Sequence, residues 1–125
     1  MPFDGSVYRQ PEFDAEAALA ELRTARNLIT CRLNWTQGKL VREACLWWPY
    51  RSYCALGALQ RVNAGALAYN VLMHTIRPHG PYESCMIENF NDRNRHHIVL
   101  KLFDQAVQKL ESADRTTLLE YMSID

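Results

Sequence analysis

Apolar side chains recur at three- and four-residue steps along two long stretches of this chain, and the rest is arranged around them. Ala18, Leu22, Ala25, Leu28, Ile29 and Leu33 fall on one face of a helix predicted over about 15–33. Glu16, Glu21, Arg23, Arg26 and Arg32 fall on the other side, and Asp14 stands where an N-cap belongs. A second stripe, Ile98, Val99, Leu102, Phe103, Ala106, Val107 and Leu110, predicts a helix over about 95–111, with Asp92 or Asn94 as its cap.

Shorter segments fill the interval. Asn34-Trp35-Thr36-Gln37-Gly38 ends the first helix, Gly38 being suited to a positive φ. Leu40, Val41, Ala44, Cys45 and Leu46 are compatible with a short helix that Trp47-Trp48-Pro49-Tyr50 breaks, the proline pushing Trp48 toward extended geometry. From Ser52, expected as a cap, a central helix is predicted over about 52–63, with Cys54, Ala55, Ala58, Leu59 and Val62 as its stripe. Gly57 is expected there because a bare backbone lets another helix approach closely. After a joint at 63–65, a third helix is predicted over 66–76 with Leu67, Val71, Leu72 and Ile76 inward. Two prolines and a glycine in 77–81 stop it.

A short helix over 82–90, using Met86, Ile87 and Phe90, leads into a polar turn over 91–94. A terminal turn or two of helix is expected over 115–122, with Leu118, Leu119 and Met122. No segment alternates with period two and no repeat is visible. The expected fold is therefore all-α: a compact single-domain bundle of four to five helices around 52–63. Residues 14–125 form that domain, and 1–13 form an extended lead-in that Phe3, Tyr8 and Phe13 fasten to the body.

Composition narrows the classes of function. At 125 residues, 48% apolar and 22% charged, the chain is long enough to bury a core without metal or disulfide help. Fourteen basic residues balance fourteen acidic ones, which counts against general nucleic-acid binding. No apolar run reaches a membrane span and the first residues lack a secretion signal, so a cytoplasmic protein with no membrane contact is expected. Cys31, Cys45, Cys54 and Cys85 are then thiols. With no C-x-x-C pair, neither a metal nor a cofactor is expected.

Three groups of residues carry candidate chemistry. Cys54 could act as a nucleophile with His96 or His97 as base and Asn91 or Asp92 as orienter. A small buried hydrophobe in a tightly packed helix is the commoner fate of such a cysteine. Asn91 and Asp92 could take a cation or an amine, although such a pair more often caps a helix. Trp35 and Gln37 would then lock one loop onto that turn. Adjacent His96 and His97 point to different sides of a helix and cannot share a metal. Together with Arg93, Arg95 and Lys101 they make a basic start to the last long helix, suited to a phosphate, an acidic partner or plain solvent. Finally, Trp47, Trp48, Tyr50 and Arg51 have the composition of an interface hot spot, for a protein partner or a second copy, or else they roof the core.

Four pieces of the chain also stand together in order: Asn34-Trp35-Thr36-Gln37-Gly38, Tyr53-Cys54-Ala55-Leu56-Gly57-Ala58-Leu59, Phe90-Asn91-Asp92, and Val99-Leu100-Lys101-Leu102-Phe103-Asp104-Gln105-Ala106. The set resembles a family of small uncharacterised bacterial and phage proteins with the pattern Gly-Trp-x-Gln-Gly, Cys-x-Leu-Gly-Ala-Leu and Trp-Asn-Asp. Asn34 replaces the glycine and Phe90 the tryptophan. The resemblance implies an all-helical cytoplasmic protein and assigns no catalytic role to Cys54 or Asp92. A non-enzymatic binding or accessory protein, of phage or mobile-element origin, is the leading expectation. The alternative is a small thiol-dependent hydrolase or transferase using Cys54.

Overall fold

The Asp14 carboxylate accepts the Ala17 amide at 3.0 Å and starts α1 (Ala15–Leu28) at the predicted residue. The structure, a computed structural model, describes residues 14–80 and 86–122. The predicted lead-in over 1–13, with Phe3, Tyr8 and Phe13, lies outside the described residues, as does Cys85. After α1 come β1 (Val41–Arg42), β2 (Ser52–Tyr53), α2 (Ala55–Arg61), α3 (Ala66–Ile76), α4 (Met86–Arg93), α5 (His96–Ser112) and α6 (Arg115–Met122). Single 3-10 turns stand at Arg32–Asn34 and Arg77–His79. Six α-helices among the described residues, against four to five expected, confirm the all-α class.

The two long stripes meet each other. α5 lies mainly against α1 and α3, and α2 packs on α1. Leu22, Ile29, Leu59, Val71, Leu72, Ile76, Val99 and Phe103 are fully excluded from solvent at the centre. Burying a side chain of this kind contributes roughly 1.5–3 kcal/mol, which outweighs the modest exposed ion pair between Arg23 and Glu111. α3 occupies the predicted 66–76, entered through Asn63 in the left-handed region (φ 55°) and Gly65 as N-cap.

Where the chain leaves helices, sequence periodicity misplaces it. α1 ends at Leu28 instead of 33, and Leu33 is 53% exposed because it lies within the turn at Arg32–Asn34 and not on the inner face of the helix. The carbonyl of Leu33 accepts from the Ser52 hydroxyl (2.6 Å) and the Arg42 guanidinium (3.0 Å), which fastens this turn to the ribbon that follows. Residues 40–46 form no helix. Val41 pairs with Tyr53 and Arg42 with Ser52 in an antiparallel ribbon too short to show alternation in the sequence. Ser52, expected as the cap of the central helix, is a fully buried strand residue, and Cys54 caps α2 instead. Asn91-Asp92-Arg93, expected in a turn, is the last turn of α4. α5 begins after Arg95, with no capping side chain from Asp92 or Asn94. In α6, Tyr121 is buried while Leu119 is 44% exposed.

Gly57 has a different reason from the one expected. A Cβ there would fall against the carbonyl oxygen of Leu40 and 2.9 Å from its carbonyl carbon. The neighbour is thus not a helix but the strand entering β1, whose Leu40 carbonyl also accepts the Cys54 amide at 3.1 Å. Gly38, two residues earlier, has φ 79°, as expected of the glycine in this turn.

Candidate functional site

Asn91 is the joint on which the motif residues converge. It is fully buried near the end of α4, and it uses its whole hydrogen-bonding capacity. Its Oδ1 accepts the Trp35 indole N–H (2.7 Å) and the Ala55 backbone N–H (3.0 Å). Its Nδ2 donates to the Thr36 carbonyl (3.0 Å) and to Asp92 Oδ1 (3.1 Å). One amide therefore ties the 35–36 segment, the first residue of α2 and α4 together, leaving none of its side-chain capacity for a ligand.

Gln37 continues the joint from outside. Its Nε2 lies within reach of the carbonyls of Asn91 (3.0 Å), Asp92 (3.2 Å) and Asn94 (2.9 Å), the groups a helix C-terminus leaves without intrahelical partners. Asp92 Oδ1 in turn accepts the Gly38 amide at 2.9 Å. Trp35 also makes a parallel bridge to Tyr53, and the Thr36 amide donates to the Tyr53 carbonyl. The locking of loop 34–38 onto 91–94 thus follows the expectation for Trp35 and Gln37. Thr36, Ser52, Arg42 and Leu40 complete the joint without a sequence signal for that role, because Thr36 and Leu40 act through backbone groups and Arg42 and Ser52 across a two-residue ribbon.

In the thiol alternative the nucleophile is enclosed by the fold. Cys54 is 2% exposed, and its sulfur accepts the Gly57 amide at 3.3 Å. The thiol is doing the work of a serine N-cap. Burial pushes its pKa above the ordinary cysteine value, the Gly57 and Leu56 amides act in the lowering direction, and the Asp92 and Glu88 carboxylates raise it further. A thiol held protonated at neutral pH is a poor nucleophile. His97 and Asp92 both line a surface cleft whose lining does not include Cys54.

That cleft, about 650 Å³, opens between the 3-10 turn and the start of α5. Arg32, Arg93, Arg95, His96 and His97 line it, with Trp35 and Gln37 at the joint side. His96 is oriented from behind, its Nε2 donating to the Ile29 carbonyl at 2.6 Å and its ring 5.2 Å from that of Trp35. No group of three or more His, Cys, Asp or Glu side chains among the described residues could hold a metal ion.

The aromatic segment stands apart from both. The ribbon of β1 and β2 carries residues 43–51 out as an arm, with Leu46 99% and Trp47 92% exposed at its tip and Tyr50 61% exposed. Trp47 and Tyr50 do not roof the core. Only Trp48 turns back, its indole N–H donating to Asn34 Oδ1 at 3.0 Å and its ring edge-on to Tyr50. The arm has internal fastening: Cys45 N–H donates to the Trp48 carbonyl, and Arg51 pairs with Glu43 at 3.1 Å.

Residues 14–109 match the model of a family described as a family of unknown function, DUF6197. No curated protein and no solved structure is similar enough to match. No helix among the described residues is long and apolar enough to cross a membrane.

Proposed function

We propose that this chain, which belongs to the DUF6197 family of unknown function, is a non-enzymatic binding protein whose contact surface is the arm over 43–51. One observation carries the reading: Leu46 and Trp47 stand almost wholly in solvent on a segment fastened at its base, at its middle and through Trp48. An arm ordered before binding loses less entropy on docking than a loose loop would. Covering each of the two tip side chains contributes about 1.5–3 kcal/mol, the scale of an interface hot spot.

The occupant is a protein with an apolar recess, not a second arm. Two convex tips laid together would cover far less than the roughly 800 Å² per partner of a stable interface. The two exposed free thiols, Cys31 and Cys45, support a reducing, cytoplasmic setting. A bacterial, phage or mobile-element setting rests on the sequence resemblance alone. The thiol-enzyme alternative has in its favour only the shared neighbourhood of His97 and Asp92, and the burial of Cys54 works against it.

A photo-crosslinking residue at position 47, used in cells, tests the arm. The expected product is one defined heterologous partner whose purified complex Trp47→Ser weakens by about tenfold or more. Cross-links solely between copies of this chain, or a complex unaffected by Trp47→Ser and Leu46→Ser, would overturn the proposal. Rapid, selective alkylation of native Cys54 by iodoacetamide near pH 7 would favour the enzyme reading instead.

A further inference from the structure

From the cleft between Arg32 and the start of α5, a different face from the arm, we infer a binding site for a small organic phosphate. The cleft concentrates charge that the chain as a whole lacks: net charge is zero, yet three arginines, Arg32, Arg93 and Arg95, share this cleft with a single carboxylate, Asp92. That carboxylate is already engaged by the Gly38 amide and by Asn91. Arg32, Arg95 and His97 have no ion-pair partner among the described residues. Arg32 and Arg95 come from two separate elements to line one cleft, so an anion placed there would meet both guanidinium groups.

Guanidinium groups suit a phosphate because their planar N–H pairs match its oxygens, and hydrogen bonds between two charged groups are about twice as strong as neutral ones. The backbone continues the same polarity, for α5 begins with His96 and His97, carries no acidic residue in its first turn and has no capping side chain. At about 650 Å³ the cleft is larger than inorganic phosphate needs and within the range of small-ligand sites. Half-buried Trp35 also lines the cleft, its ring held by its bond to Asn91 and its contact with His96. A phosphate at the arginines and a flat organic group along Trp35 would use both halves.

Nuclear magnetic resonance titrations of the full chain at low ionic strength, with inorganic phosphate, adenosine monophosphate and adenosine as probes, test this. Both phosphates should give saturable shifts centred on the amides of residues 93–98, with the monophosphate binding more tightly and also shifting the Trp35 indole signal. Adenosine alone should give none. Replacing exposed Arg32 and Arg95 with glutamine should together weaken monophosphate binding about tenfold or more, with circular dichroism unchanged. Non-saturating shifts, shifts of equal size at Lys39 and Lys109, or an affinity unchanged in Arg32→Gln/Arg95→Gln would overturn the inference. Trp47→Ser should leave phosphate binding intact, which keeps this result separate from the fate of the arm.

Discussion

The joint around Asn91 and the arm over 43–51 treat unusual residues in opposite ways. In the joint, polar side chains find partners: a fully buried amide makes four hydrogen bonds, and an exposed glutamine at its edge reaches three carbonyls. In the arm, large apolar side chains are exposed and the two at the tip touch little of their own protein. A buried polar group without partners costs about 1–3 kcal/mol, so polar residues placed inside must be matched, and matching ties them to the fold. No such rule fastens an exposed tryptophan. Trp35, Gln37 and Asn91 therefore hold the molecule together, whereas Leu46 and Trp47 stand in solvent.

Substitutions can break that contrast. Asn91→Leu should have the largest effect: it strands the Trp35 indole N–H, the Ala55 amide and the Thr36 carbonyl, and destabilises by about 4 kcal/mol or more in denaturant unfolding. A loss under about 1 kcal/mol would show that water serves these groups equally well. Gly57→Ala comes next, at about 2–3 kcal/mol, because the new methyl meets a backbone carbonyl that can move only by shifting β1. Cys54→Ser sharpens the comparison further. A hydroxyl can cap the Gly57 amide as the sulfur does, so stability should change by only about 1 kcal/mol and partner binding should not change. The smallest effect on stability belongs to the arm. Leu46→Ser and Trp47→Ser should each move the unfolding midpoint by no more than about 0.5 kcal/mol equivalent while weakening partner binding.

Helix periodicity made most of the body legible in advance. The buried stripes of α1, α3 and α5 lie where three- and four-residue spacing puts them, because one-sided burial is what creates that spacing. Its failures cluster within residues 29–57, where the chain is held by single backbone bonds between segments far apart in sequence. Leu40 illustrates this: its carbonyl receives the Cys54 amide and bars a side chain at Gly57, yet nothing in a leucine announces either contact. The cleft was half legible. Arg93, Arg95, His96 and His97 are neighbours in sequence, whereas Arg32 joins them only because α1 stops early.

The bond from the Ala55 amide to Asn91 has a kinetic side. A helix of seven residues such as α2 is too short to persist by itself, since forming the first turn of any helix is unfavourable. Its first amide waits for a partner 36 residues later in the chain, and that partner is in place only once loop 35–36 and α4 have met. α2 therefore forms and opens as part of a cooperative unit spread along the chain, and the Ala55 amide, the Gly57 amide and the Trp35 indole should exchange their hydrogens for deuterium at a common rate. Cys54 would become reachable only in those openings, so the rate at which a thiol reagent finds it would act as a clock for the joint.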